Sequence, residues 1–169
     1  SDLLSTVQEY LNIMQKRFEM NTLKKRADAE LGRANIAEAK RIYAELLNQD
    51  PEHEIVHANL ALAELKEKEF SKTLEHCDRA LEIIKHFRSI QQVEANPGTS
   101  LQEFRTFIVK LLLRKAKALE GLNRPEESLE VVQQILVHEP HNFEAKKLEN
   151  SLKTIITRKE IESTKEEAA

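Results

Sequence analysis

Residues 35–39 read Asn35-Ile36-Ala37-Glu38-Ala39 and are followed by Tyr43, Leu46, Leu47 and Pro51. Thirty-four residues later the chain reads Glu69-Phe70-Ser71-Lys72-Thr73, followed by Cys77, Ala80 and Leu81. A third copy, Arg124-Pro125-Glu126-Glu127-Ser128, leads to Val132, Ile135, Leu136 and Pro140. It begins 55 residues after the second, which is one further period plus 21 inserted residues. Each copy follows a stretch of helical character, at Leu31-Gly32, Ala61 to Leu65 and Ala116 to Leu122. Self-similarity at a fixed period of this length is the mark of stacked supersecondary units that bury a continuous core between neighbours.

Composition agrees with stacked helices and excludes much else. Of 169 residues only 3 are Gly and 4 are Pro, and aromatics make up 5% with no Trp. A β-sandwich or a βαβ fold needs frequent turn chemistry, so neither fits. With 40% hydrophobic and 33% charged residues the chain has enough apolar material for a core. The formal net charge of −3 offers no global basic field for nucleic acid. A single cysteine, Cys77, excludes an internal disulfide framework and fits a reducing compartment. No apolar run approaches the ~20 residues of a membrane span, and no signal peptide is legible at the start. The expectation is a cytoplasmic protein with no membrane insertion and no cofactor.

The three copies in register resemble the tetratricopeptide repeat (TPR), a helical hairpin of 34 residues. The resemblance covers about residues 20–140 and implies an all-α, right-handed α-solenoid of three hairpins. It assigns the small residues that let helices A and B approach: Ala27, Ala61 and Ala116 in the A helices, and Ala39, Thr73 and Ser128 in the B helices. The Trp and Tyr usual in helix A are replaced by Leu23, His57 and Leu112.

Around the repeats the reading is as follows. Residues 1–20 form an extra amphipathic helix whose stripe Leu3, Leu4, Val7, Leu11, Met14 and Phe18 has helical spacing. It serves as a cap over the first repeat, or as a self-association or docking helix, leaving the protein a monomer or weakly self-associated. The TPR domain spans 21–140. Asp50-Pro51 supplies the cap and first position of the second repeat's A helix. An insertion at about 86–106 lengthens two neighbouring helices, with Asn96 to Ser100 as the obvious loop. Residues 141–158 form a capping helix with Phe143, Leu148, Leu152 and Ile156 on one side, and 159–169 a solvated, frayed tail.

Two constellations carry possible chemistry. His53-Glu54-Ile55-Val56-His57 is a literal HExxH, which on a helix presents two imidazoles to zinc with the glutamate as general base. No further histidine is spaced to supply the third ligand of a catalytic zinc site, and His57 falls where the repeat packs between helices. A zinc hydrolase is therefore the remote alternative, and nothing else looks catalytic.

The second constellation resembles the carboxylate-clamp co-chaperones among TPR proteins. Their third A helix carries Lys-x-x-x-Arg, matched by Lys110 and Arg114. Their second carries an Asn, matched by Asn59. Their first reads Lys-x-x-x-Asn, where this chain has Lys24 but Asp28. Leu31 and Lys66 fall at further groove positions of that family. The resemblance implies a non-enzymatic adaptor that takes the acidic C-terminal peptide of a seventy- or ninety-kilodalton heat-shock chaperone. Lysine and arginine donate charge-assisted hydrogen bonds to paired carboxylates, and Asn59 adds an amide donor. Asp28 departs from the pattern, since an ionised carboxylate accepts but cannot donate. The alternative within the same class is a TPR scaffold that binds another partner through its groove or its elongated helices.

Overall fold

Helix propagation meets few obstacles in a chain so poor in glycine and proline. The computed structural model describes the backbone of residues 2–90 and 101–169, and the side chains of 2–86 and 102–169. Among the described residues there are seven helices and no strand: α1 (Asp2–Gly32), α2 (Ile36–Gln49), α3 (Glu54–Lys66), α4 (Phe70–Ile90), α5 (Leu101–Gly121), α6 (Pro125–His138) and α7 (Phe143–Ala168). They make three hairpins, α1–α2, α3–α4 and α5–α6, closed by α7. Each helix packs mainly on its neighbours in sequence, and α3 also touches α1 and α5.

The backbone repeats as the sequence does. Ala34, Lys68 and Asn123, each at the turn between helices A and B, are left-handed at φ 63°, 58° and 60°. The next amide in each turn donates back to the carbonyl five residues earlier, Asn35 to Glu30, Glu69 to Glu64 and Arg124 to Leu119, at 2.9 Å in all three. This is the helix stop in which a left-handed residue satisfies otherwise orphaned carbonyls.

Close helix approach follows from the small residues. Ala27, Ala39, Ala61, Thr73, Ala116 and Ser128 are all fully buried. Ser128 Oγ donates to the Ala116 carbonyl at 2.7 Å, a direct bond from helix B to helix A of the third hairpin. Gly121 serves the same end, because a β-carbon there would stand 2.5 Å from Phe70 Cδ2. The core is three linked clusters. One joins α1, α2 and α3 around Ile42, Tyr43 and Leu46. A second joins α3, α4 and α5 around Cys77, Ala80 and Leu111. The third joins α5, α6 and α7 around Val132, Ile135 and Leu152.

Several boundaries differ from the sequence reading. Residues 1–20 are not a separate helix capping the first repeat. No Gly or Pro interrupts the chain between Asp2 and Leu31, so one helix of 31 residues runs through. Its N-terminal stripe lies bare, with Leu3 73% and Phe18 68% exposed. Asp50 ends α2 rather than capping α3, which starts at Glu54 behind the N-cap His53. Asn142 caps α7 and turns Ala145, Leu148 and Leu152 inward, which leaves Phe143 on the outside. The segment 159–168 continues α7 as helix instead of fraying. Helices α4 and α5 are each 21 residues, against 13 or 14 for α2, α3 and α6. The loop read at Asn96 to Ser100 lies outside the described residues.

Candidate functional site

A row of polar side chains crosses the three A helices. On α1, Lys24 and Asp28 stand one turn apart, and Lys24 Nζ donates to Asp28 Oδ2 at 2.8 Å. The other oxygen, Asp28 Oδ1, accepts from the Tyr43 hydroxyl of α2 at 2.5 Å and from Asn59 Nδ2 of α3 at 3.0 Å. One carboxylate therefore ties three helices together. From α5, Arg114 donates to the carbonyl of Ala58 at 2.8 Å, beside Asn59.

The electrostatics fit this arrangement. Burial, reinforced by the hydrogen bond and charge of Asp28, raises the Tyr43 pKa far above the ordinary phenol value, so the hydroxyl stays a donor. The positive charge of Arg114 acts on the same phenol in the opposite sense. Burial lowers the Arg114 pKa, but a guanidinium starts so high that it keeps its charge at neutral pH.

Lys24, Asp28, Asn59 and Arg114 are thus brought together. Lys110 stands one turn before Arg114 on α5, exposed, with no ion pair to it among the described residues. Lys66 is exposed two turns past Asn59, roughly 10 Å along α3, and no contact links it to the row. Leu31 belongs to the first core cluster and is buried, because it shares the inward face of α1 with Ala27; it is not open to a ligand. Tyr43 is the member that sequence reasoning took only as a repeat core position. Its signal was chemical: a tyrosine buried in a helical core must find a partner for its hydroxyl.

The HExxH run does not assemble a metal site. His53 precedes α3, and its Nδ1 caps the helix by accepting from the Val56 amide at 3.3 Å. His57 is buried, with Nε2 2.7 Å from the Pro51 carbonyl, and its ring lies 5.5 Å from that of His76. Burial, together with the neighbouring positive groups, lowers the His57 pKa. Burial opposes charge on His76 as well, but Glu64, 2.8 Å from its Nδ1, outweighs it and the pKa is raised. No group of three or more potential ligands that could hold a metal occurs among the described residues. Cys77 is buried and its thiol is pushed up to about 12, chiefly by desolvation, so it is a core side chain and not a nucleophile. No described helix is long and apolar enough to cross a membrane.

No protein-family model matches the sequence. Solved structures do. The chain is similar to an Arabidopsis OM64 TPR domain, at 24% identity and a TM-score of 0.64 over 80% of this chain and 95% of that one. It is similar to the first TPR of Spaghetti (RPAP3) bound to the HSP90 peptide SRMEEVD, at 20% identity and a TM-score of 0.65 over 82% and 93% of the two chains. The second TPR domain of human RPAP3, in complex with the HSP70 peptide SGPTIEEVD, matches at 18% identity and a TM-score of 0.63 over 81% and 97%. The three hairpins accordingly have the TPR fold.

Proposed function

We propose that this chain is a non-enzymatic adaptor that captures the acidic C-terminal tail of a cytosolic heat-shock chaperone of the seventy- or ninety-kilodalton class. Lys24, Asn59, Lys110 and Arg114 supply the donors, and the protein works in the cytoplasm beside that partner. The observation that carries this reading is that the polar row already holds a carboxylate, its own. Asp28 is bound by Lys24 and Asn59 at hydrogen-bond distance, so the chemistry offered there is carboxylate recognition. Two neighbours of the same fold were solved with chaperone peptides ending in Glu-Glu-Val-Asp, and such a tail presents its side-chain and terminal carboxylates close together.

Lys110 is the donor best placed to meet an incoming terminus, since it is exposed and no ion pair among the described residues competes for it. A peptide ending in Glu-Glu-Val-Asp should bind with a Kd around micromolar, about −8 kcal/mol, more weakly as salt rises. Fluorescence anisotropy with the free-acid and C-terminally amidated peptides checks this. The amide should lose most of the binding, and Lys110→Ala should weaken the free acid by about 1.5–3 kcal/mol without shifting the melting temperature. Equal binding of acid and amide would overturn the clamp and leave a TPR scaffold that reads some other chemistry, a reading favoured only by the neutralisation of Lys24 by Asp28.

A further inference from the structure

The N-terminal half of α1 carries the largest unexplained feature of the surface. Leu3, Leu4, Val7, Tyr10, Leu11, Ile13, Met14 and Phe18 are all more than 40% exposed on one helix. Among the described residues its polar side chains bond only within the helix, as in Gln8 to Asn12 and Gln15 to Glu19. A contiguous apolar patch of this kind on a water-soluble surface marks an interface. The body of the domain cannot supply the cover. At 100° per residue Leu4, Val7, Leu11, Met14 and Phe18 centre on a stripe about 180° round the helix from Met20, Leu23, Ala27 and Leu31, the face that packs on α2 and α3.

We infer that this stripe pairs with the same stripe of a second copy as a short antiparallel two-helix coil. Leu4, Val7, Leu11, Met14 and Phe18 are spaced 3, 4, 3 and 4 residues apart, the heptad repeat of a coiled-coil seam. Of the flanking positions Leu3, Gln8, Tyr10 and Gln15 are neutral and Arg17 is the one charge. Antiparallel pairing sets Arg17 level with Gln8 of the other copy, and Asp2, Glu9 and Lys16 lie on the far side of the helix, so no like charges meet across the seam. Antiparallel pairing sets Val7 against Phe18 of the other copy and Leu11 against Met14, small beside large. Parallel pairing would instead oppose the two copies of Phe18 and, two turns on, the two copies of Lys25. The interface is isologous, as a two-fold dimer requires. It buries on the order of 1,000 Å² in total, at the lower end for a specific complex, the size of weak and reversible associations.

Sedimentation equilibrium of the whole chain over about 1–200 µM tests the proposal by mass action. The average mass should rise from the 19.5 kDa monomer toward twice that value. Leu11→Asp should hold it at the monomer throughout, a loss of at least 100-fold in association, while acidic-tail binding by the groove stays unchanged. Mild oxidation of Val7→Cys chains mixed with Phe18→Cys chains should give mixed disulfide dimers. A wild-type monomer at the highest concentration, or a dimer that survives Leu11→Asp, would overturn the pairing. Disulfide dimers of Val7→Cys alone would overturn its antiparallel sense.

Discussion

Asp28 decides how the polar row behaves before any ligand arrives. Its two oxygens take hydrogen bonds from Lys24, Tyr43 and Asn59, so two of the proposed clamp donors are engaged and one cation is neutralised. An incoming carboxylate must displace an equivalent group that is covalently held in place. Asp28→Asn removes that charge and frees Lys24, while the amide oxygen can still accept from Tyr43. Acidic-tail binding should tighten by about 1 kcal/mol, the net value of a hydrogen bond, as titration calorimetry can measure. Stability should fall by no more than about 1 kcal/mol, since the Lys24–Asp28 pair is only part-buried and such a pair contributes little. Weaker binding instead would mean that Asp28 orients Lys24 for the ligand. Lys24, Asn59, Lys110 and Arg114 were singled out by the resemblance to the clamp proteins, and helix spacing alone placed only Lys110 and Arg114, one turn apart, on a common face. The bonding within the row was not legible in the sequence, because it depends on how α1, α2 and α3 approach one another. Tyr43 came into the site only through that approach, and Leu31 left it for the same reason.

At the scale of single helices and their turns, the copies differ where their backbones agree. All three A–B turns demand a left-handed residue, and the third uses Asn123, which tolerates that region. The first uses Ala34, which is exposed and brings neither packing nor a side-chain bond, although a left-handed L-residue costs about 1–2 kcal/mol. Ala34→Asn should therefore stabilise the domain by about 0.5–1 kcal/mol, part of that cost. A guanidinium chloride midpoint that rises at constant slope would show it, and an unchanged or lower midpoint would mean the turn is not strained. The hairpins themselves were readable from small residues at fixed offsets, since Ala27, Ala39, Ala61, Thr73, Ala116 and Ser128 are all buried as the repeat requires. Helix ends were less readable. The N-terminal stripe of α1 and the core face of its C-terminal half point in opposite directions, which reads as two helices when only the pattern is followed. Absence of a breaker, which keeps it one, is a weaker signal than a change of face. His53 was obscured in a similar way, because a histidine acting as an N-cap is indistinguishable in sequence from the first ligand of HExxH.

Across the whole molecule, cohesion is transmitted along a line. The first core cluster shares α3 with the second, and the second shares α5 with the third. No described cluster joins α1 or α2 to α6 or α7. Stability in such a stack is a sum of local terms and nearest-neighbour interfaces, not one indivisible quantity. Leu152 tests this directly. It is fully buried where α7 covers the last hairpin, among Val132, Ile135 and Ala145. Leu152→Ala leaves a cavity at that end and should destabilise it by about 2–4 kcal/mol. If neighbours carry the coupling, the loss should stay near the cavity. Amide hydrogen exchange should accelerate throughout α6 and α7 and along the half of α5 that contacts them, whereas the amides of α2 and α3 keep their protection. Tail binding should weaken only through Arg114 and Lys110 on α5, and by less than truncating either side chain. A uniform loss of protection from α2 to α7 would show instead that the three clusters unfold as one unit, with the α3 and α5 contacts strong enough to tie both ends of the stack together.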